Sequence, residues 1–222
     1  MVTKFAAPRA LSHGLHAGAG RGMWGHIVSY HRCNRDGALL RRTNFVSVIR
    51  APGRVVAVVR DGYRSAVLGL VRYAGGAQAY CLLPLGTSVG HRFNTQRGLS
   101  SNRLLPFLLS RLRFGTPVYG IRQSLLSDVT YARSAGCSAK VCHQGPGGTM
   151  VALPSGQKRL FGRDSVAYLG RVGAQLHYKA CPGKAGLMWY RGRRPVVRGT
   201  AMNPVDHPHG GKSGPGRSSV SP

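Results

Sequence analysis

The chain has 222 residues, with 32 lysines and arginines against five aspartates and no glutamate, for a formal net charge of +27. That length holds one or two small domains. A hydrophobic content of 42% supplies a core and excludes a wholly disordered basic tail, while the charge calls for a polyanionic partner, because such a chain repels itself and sticks to polyanions.

The first 22 residues, MVTKFAAPRALSHGLHAGAGRG, carry Lys4, Arg9 and Arg21 and no acid. They fit an organelle-targeting peptide and equally a basic arm laid along phosphates. Short β-like runs follow: His26–His31 (HIVSYH), Asn44–Arg50 (NFVSVIR), Arg54–Arg60 (RVVAVVR), Ala66–Tyr73 (AVLGLVRY) and Ala77–Leu83 (AQAYCLL). Asp36-Gly37, Pro52-Gly53, Asp61-Gly62 and Gly75-Gly76 separate them, supplying positive φ or side-chain-bonded turns. Five short strands so spaced predict a small closed barrel over residues 20–90.

Residues 91–115 read as a connector. Its Leu-rich part would hold a short helix, but Pro106 interrupts the pattern. Pro117–Gln123, Ala139–His143, Thr149–Phe161 and Ser165–Gly170 form a second β-rich block, with Ser155-Gly156 as a hairpin turn. This predicts a second small barrel over 116–178. From about Lys179 no period of 2 or 3.6 persists, and Gly, Pro and Arg dominate. Residues 179–222 cannot build a core of their own, so a partner must order them or they stay disordered.

Several motif fragments fail on inspection. Gly20-Arg21-Gly22-Met23-Trp24-Gly25 fits G-x-G-x-x-G, yet a strand-like run follows it and no acid lies at the ribose-binding spacing. Gly211-Lys212-Ser213 ends like a phosphate loop, but the position of the required first glycine is Asp206. Cys33, Cys81, Cys137, Cys142 and Cys181 are odd in number and irregular in spacing, which argues against a disulfide framework, and no second pair completes a zinc site. No apolar run reaches the ~18–20 residues of a membrane span; the best, Leu104–Leu112, is broken by Pro106, Ser110 and Arg111. Asp206, His207 and His209 are the most chemical-looking cluster, but nothing else in the sequence supplies a nucleophile or a further carboxylate. A metal-dependent hydrolase is the weakest of the functional readings.

The arginines carry the stronger argument. Of the 32 basic residues 26 are Arg, and Arg191, Arg193, Arg194 and Arg198 lie beside Trp189 and Tyr190. Guanidinium is planar, permanently charged and bidentate toward phosphate, and aromatic rings stack on unpaired bases. RNA is preferred to DNA, because the sequence lacks a helix-turn-helix, zinc-finger spacing or basic zipper, and irregular Gly/Arg extensions suit the crevices of a folded RNA.

These residues also carry a resemblance. Gly192–Arg217 (GRRPVVRGTAMNPVDHPHGGKSGPGR) closely resembles the C-terminal signature of the universal large-subunit ribosomal protein L2 family. Lys184–Gly186 and Trp189 stand in register before it, and Tyr131–Gly136 (YARSAG), Leu153–Phe161 (LPSGQKRLF), Asp61–Tyr73 and Leu82–Gly90 resemble motifs further upstream. Gly25, Ile27, His31, Arg41 and Phe45 also fall into register. The resemblance implies a mainly β chain, an OB-fold barrel followed by an SH3-like barrel with an irregular basic C-terminal extension. It implies contact with large-subunit rRNA near the peptidyl-transferase region and with neighbouring large-subunit proteins, and no catalysis, cofactor, metal or small-molecule substrate. The rRNA-binding residues it implies are Lys184, Trp189, Arg191, Arg193, Arg194, Arg198, Asn203, Asp206, His207, His209, Lys212 and Arg217, with Arg64 and Arg133 from the barrels. His207 takes a structural or rRNA-contact role.

Arg32–Leu40 (RCNRDGALL) departs from the family's glycine run and basic pair, and SSVSP stands where a basic tail is expected. Such drift suits an organellar ribosome, mitochondrial first and plastid second. The two barrels are expected to clamp separate rRNA helices, and the C-terminal loop to order only within rRNA. The alternative is a stand-alone RNA-binding regulator acting off the ribosome.

Overall fold

The computed structural model describes residues 8–14, 18–34, 39–43, 52–93, 104–124, 127 and 129–211. The expected strand at 44–50 and the turn at Asp36-Gly37 lie outside the described residues, as do Phe45, Lys212 and Arg217. By contact, the described residues fall into two units: 8–14 with 39–181, and 18–34 with 182–211.

In the first unit β1 (Ser12–Gly14) pairs antiparallel with β2 (Leu39–Arg41). β3 (Gly53–Arg60) reads GRVVAVVR and buries Val55, Ala57 and Val59 while the intervening positions are more exposed, the period of 2 expected of β-branched residues on a pleated surface. β4 (Val67–Tyr73) lies between β3 and β5 (Gln78–Leu82) and is buried on both faces. β6 (Arg92–Phe93) pairs with the start of β3, giving the order β5-β4-β3-β6. A bulge between Val55 and Ala57 shifts the β3–β4 register and increases local twist, as closing a small barrel requires.

The second sheet begins within the stretch read as a connector. β7 (Pro106–Leu108) is followed by a 3-10 turn, Leu109–Arg111. Pro106 stands first in a strand at the end of the sheet, where its missing N–H costs no ladder bond, so no helix forms. β8 (Pro117–Arg122), β9 (Thr130–Tyr131), β10 (Ala139–Gly145), β11 (Gly148–Ala152), β12 (Lys158–Phe161) and β13 (Val166–Leu169) complete it in the order β12-β11-β10-β8-β13-β7, with β9 on β8. The β11–β12 hairpin closes through Leu153 N–H to Gln157 O and Gly156 N–H to Leu153 O, with the Ser155-Gly156 turn at its tip.

The chain is thus mainly β, an OB-fold barrel followed by an SH3-like barrel. The two barrels share a core. Tyr119 of β8, Tyr168 of β13 and Val172 pack with Val59, Leu68, Leu70, Tyr80 and Leu82 of the first sheet. Backbone bonds cross the same junction, Gly173 N–H to Leu83 O and Leu85 N–H to Arg171 O, each at 2.8 Å. This fusion makes the barrels one packed body.

His26–His31 is not a strand. Only an isolated bridge joins Arg21 to Ile27, and Ile27, Val28 and Tyr30 are exposed. Apolar content without a sheet to pack against does not produce a ladder, and the local N–H groups turn back instead: those of Val28 and Ser29 both donate to Gly20 O.

Candidate nucleic-acid interface

The second unit is built from a short helix and turns. α1 (Ala185–Tyr190) begins after Lys184, which has extended backbone, and ends where Gly192 takes φ +72°. Its last carbonyls are satisfied by the N–H groups of Arg191, Gly192 and Arg193, the arrangement a C-terminal glycine permits. The chain then leaves extended, and residues 18–34 fasten onto it. Cys33 N–H donates to Gly192 O at 3.1 Å, Arg194 N–H donates to His31 O at 2.8 Å, and Arg32 bridges Arg193. Arg191, Arg193, Arg194 and Arg198 all stand exposed on this scaffold, as do Lys184 and Trp189. The rings of Trp189 and Tyr190 meet edge to face at 5.9 Å.

Residues 199–211 close on themselves. Asp206 N–H and His207 N–H donate to Asn203 O, Gly210 N–H to His207 O and Gly211 N–H to Met202 O. The loop's turns are thus closed by its own backbone hydrogen bonds. The His207 ring sits directly over Gly199, in the space a side chain at that position would need. Its Nδ1 accepts from His209 N–H at 3.0 Å, which puts the ring proton of the neutral imidazole on Nε2. The two imidazoles lie 5.0 Å apart, and the buried His209 Nε2 has no partner among the described residues. Asn203 and Asp206 are exposed. Among the described residues no group of three or more His, Cys, Asp or Glu side chains is placed to hold a metal ion.

Arg64 and Arg133 belong to the other unit. The buried Asp61 carboxylate accepts from the N–H groups of Tyr63 (2.8 Å) and Arg41 (3.2 Å), and Arg64 Nε lies 3.4 Å away. Arg64 also donates to Thr43 Oγ1 at 2.9 Å and Arg41 O at 3.2 Å. Burial lowers the pKa of its guanidinium, Asp61 opposes this, and the charges of Arg133 and Arg41 lower it further. Arg64 is therefore a half-buried latch on the turn between β3 and β4, whereas Arg133 is exposed. Sequence reasoning missed residues 18–34 as part of the C-terminal assembly; the glycines around Arg21 were the available signal, and the apolar run after them pointed to a strand.

Two small barrels joined to an arginine-bearing, internally hydrogen-bonded extension define an RNA-binding protein of ribosomal type. Residues 8–95 match the family described as "Ribosomal Proteins L2, RNA binding N-terminal domain", and residues 106–222 match "Ribosomal Proteins L2, C-terminal domain". The chain is 36% identical over 217 residues to "Large ribosomal subunit protein uL2" of Treponema pallidum (strain Nichols), covering 97% of this chain and 80% of that one. It is 36% identical over 210 residues to "Large ribosomal subunit protein uL2c" of Angiopteris evecta (93% and 75% covered), and 32% identical over 222 residues to that of Psilotum nudum (99% and 79%). The chain belongs to the L2 (uL2) family, structural RNA-binding proteins of the large ribosomal subunit.

Proposed function

We propose that this protein binds large-subunit rRNA through its second unit and supports the peptidyl-transferase region without taking part in the chemistry. The observation that carries the reading is the row of exposed arginines at 191, 193, 194 and 198 on a backbone fixed at both ends. Lys184, Trp189, Asn203, Asp206, His207 and His209 contribute to the same rRNA surface, with Lys212 and Arg217 beyond it and Arg133 on the barrel. Arg64 acts by holding the local backbone through Asp61. In this division residues 1–19 are a basic arm or targeting remnant, the barrels lie within 20–90 and 116–178 with the strand at 106–108 reaching into the 91–115 connector, and residues 18–34 side with the rRNA-embedded extension of 179–222. Neighbouring large-subunit proteins pack on the barrels.

The ribosome is organellar, mitochondrial in the first instance, although the relatives named above are bacterial and plastid proteins. Support comes from RCNRDGALL at Arg32–Leu40, in place of a glycine run and basic pair. The experiment is sedimentation of a tagged copy from fractionated organelles at moderate and high salt, with sequencing of the RNA in the peak. Salt-resistant migration with a large subunit carrying mitochondrial rRNA is expected. Plastid rRNA in that peak would move the compartment, and a small light complex would favour a regulator off the ribosome.

A further inference from the structure

The strongest feature left unexplained is the hairpin at residues 20–28. Arg21 bridges Ile27, Gly22 N–H donates to His26 O at 2.8 Å, and Gly25 N–H donates to Gly22 O at 3.1 Å. Gly20 and Gly25 hold φ +79° and +78°, and a Cβ on Gly20 would collide with Ser29 O. The backbone is thus fixed in a shape that side-chain-bearing residues rarely adopt. At its tip stand Met23, 90% exposed, and Trp24, 83% exposed. Among the described residues of the unit, no core includes them. A turn tip of this kind is ordinarily polar, and two of the largest apolar side chains held in water on a rigid turn await a partner.

We propose that this hairpin is a base-stacking wedge: Trp24, with Met23 beside it, takes the face of an unpaired RNA base. This rests on the rRNA-binding reading above. Three observations favour RNA over a protein surface. First, the described residues of this unit carry Arg21, Arg32, Lys184, Arg191, Arg193, Arg194 and Arg198 against one acid, Asp206, so a base arriving with its phosphates finds complementary charge. Second, the projecting tip offers two side chains, about the footprint of one base and far below the ~800 Å² a stable protein interface needs on each partner. Third, the turn fixes the backbone that presents the ring, and stacking is tolerant of base identity because every base has a π face. Loss of one such contact lowers affinity by about tenfold.

The test titrates the full chain with a short oligoadenylate and with an abasic ribose-phosphate oligomer of equal charge, Trp24 emission being read as the difference between the chain and its Trp24→Phe variant, so that Trp189 stays in place. Oligoadenylate is expected to quench Trp24 emission. Trp24→Ala should weaken oligoadenylate binding about tenfold, leave abasic binding and the salt slope unchanged, and be largely rescued by Trp24→Phe. Unchanged oligoadenylate affinity in Trp24→Ala, or an equal loss on both oligomers, overturns the wedge alone and turns the tip toward a protein partner. No binding of either oligomer by the parent chain overturns the rRNA reading and the wedge with it.

Discussion

At the scale of single residues, charge is handled in opposite ways in the two units. In the barrel unit Asp61 is buried and surrounded by donors, and Arg64 is turned inward to meet it. Removing the carboxylate charge leaves a half-buried guanidinium beside Arg41 and Arg133 with no counter-charge, whereas removing Arg64 leaves a carboxylate that keeps two backbone N–H donors. Breaking a buried pair costs several kcal/mol, but Arg64 retains some solvent and the figure must be discounted. Asp61→Asn is therefore expected to cost about 2 kcal/mol, and Arg64→Ala less. The midpoint of denaturant unfolding measures both; the reverse order would mean that the guanidinium, and not the carboxylate, organises the site.

Elements show where the sequence speaks and where it is silent. β3 was legible from its alternating apolar positions and β4 from its almost continuous apolar run, and the Ser155-Gly156 turn was legible because its chemistry is local. Three features were not. β7 hid behind Pro106, which is tolerated only because the strand lies at the end of its sheet. The hairpin after Gly20 carries apolar residues for a reason other than a core, so a core-seeking reading made it a strand. α1 spans six residues, too short for any helical period to register. The shared core of the barrels was equally invisible, since Tyr119 and Tyr168, cross-strand partners stacked at 5.4 Å, lie far apart in sequence and meet the residues of the first sheet only in the fold.

The junction and the neighbouring core cluster of the first sheet together have a pH signature. Burial raises the pKa of Tyr119, Tyr168 and Tyr73, with neighbouring Tyr and Cys81 adding to it and Arg122 opposing it at Tyr168. Burial likewise pushes the Cys81 thiol up to about 11. All four hold their protons more tightly when folded, so their contribution is complete below the unfolded values, near 9 for Cys and 10 for Tyr, and falls as pH climbs beyond them. Alkaline unfolding is expected, with a late step in tyrosinate absorbance coinciding with loss of the β-sheet circular dichroism. Tyrosinate absorbance completed while the sheet signal stays intact would show that these hydroxyls reach solvent without unfolding.

For the whole molecule the governing quantity is +27. A barrel pair fused through a common core needs no such charge to fold, and self-repulsion works against it. The charge has meaning only toward the partner, and it has to be apportioned between surfaces. Binding to single-stranded or irregular RNA weakens with salt at a slope of about −0.7 per phosphate neutralised. If Arg191, Arg193, Arg194 and Arg198 each meet a phosphate, replacing all four with Gln flattens the slope by roughly three. The stacking contribution at Trp24 does not depend on salt, so the two sets of changes separate: one alters the slope, the other the intercept. A slope left unchanged by the fourfold substitution would transfer the electrostatic surface to the barrels, and the extension would then act through shape and stacking, with its arginines facing water.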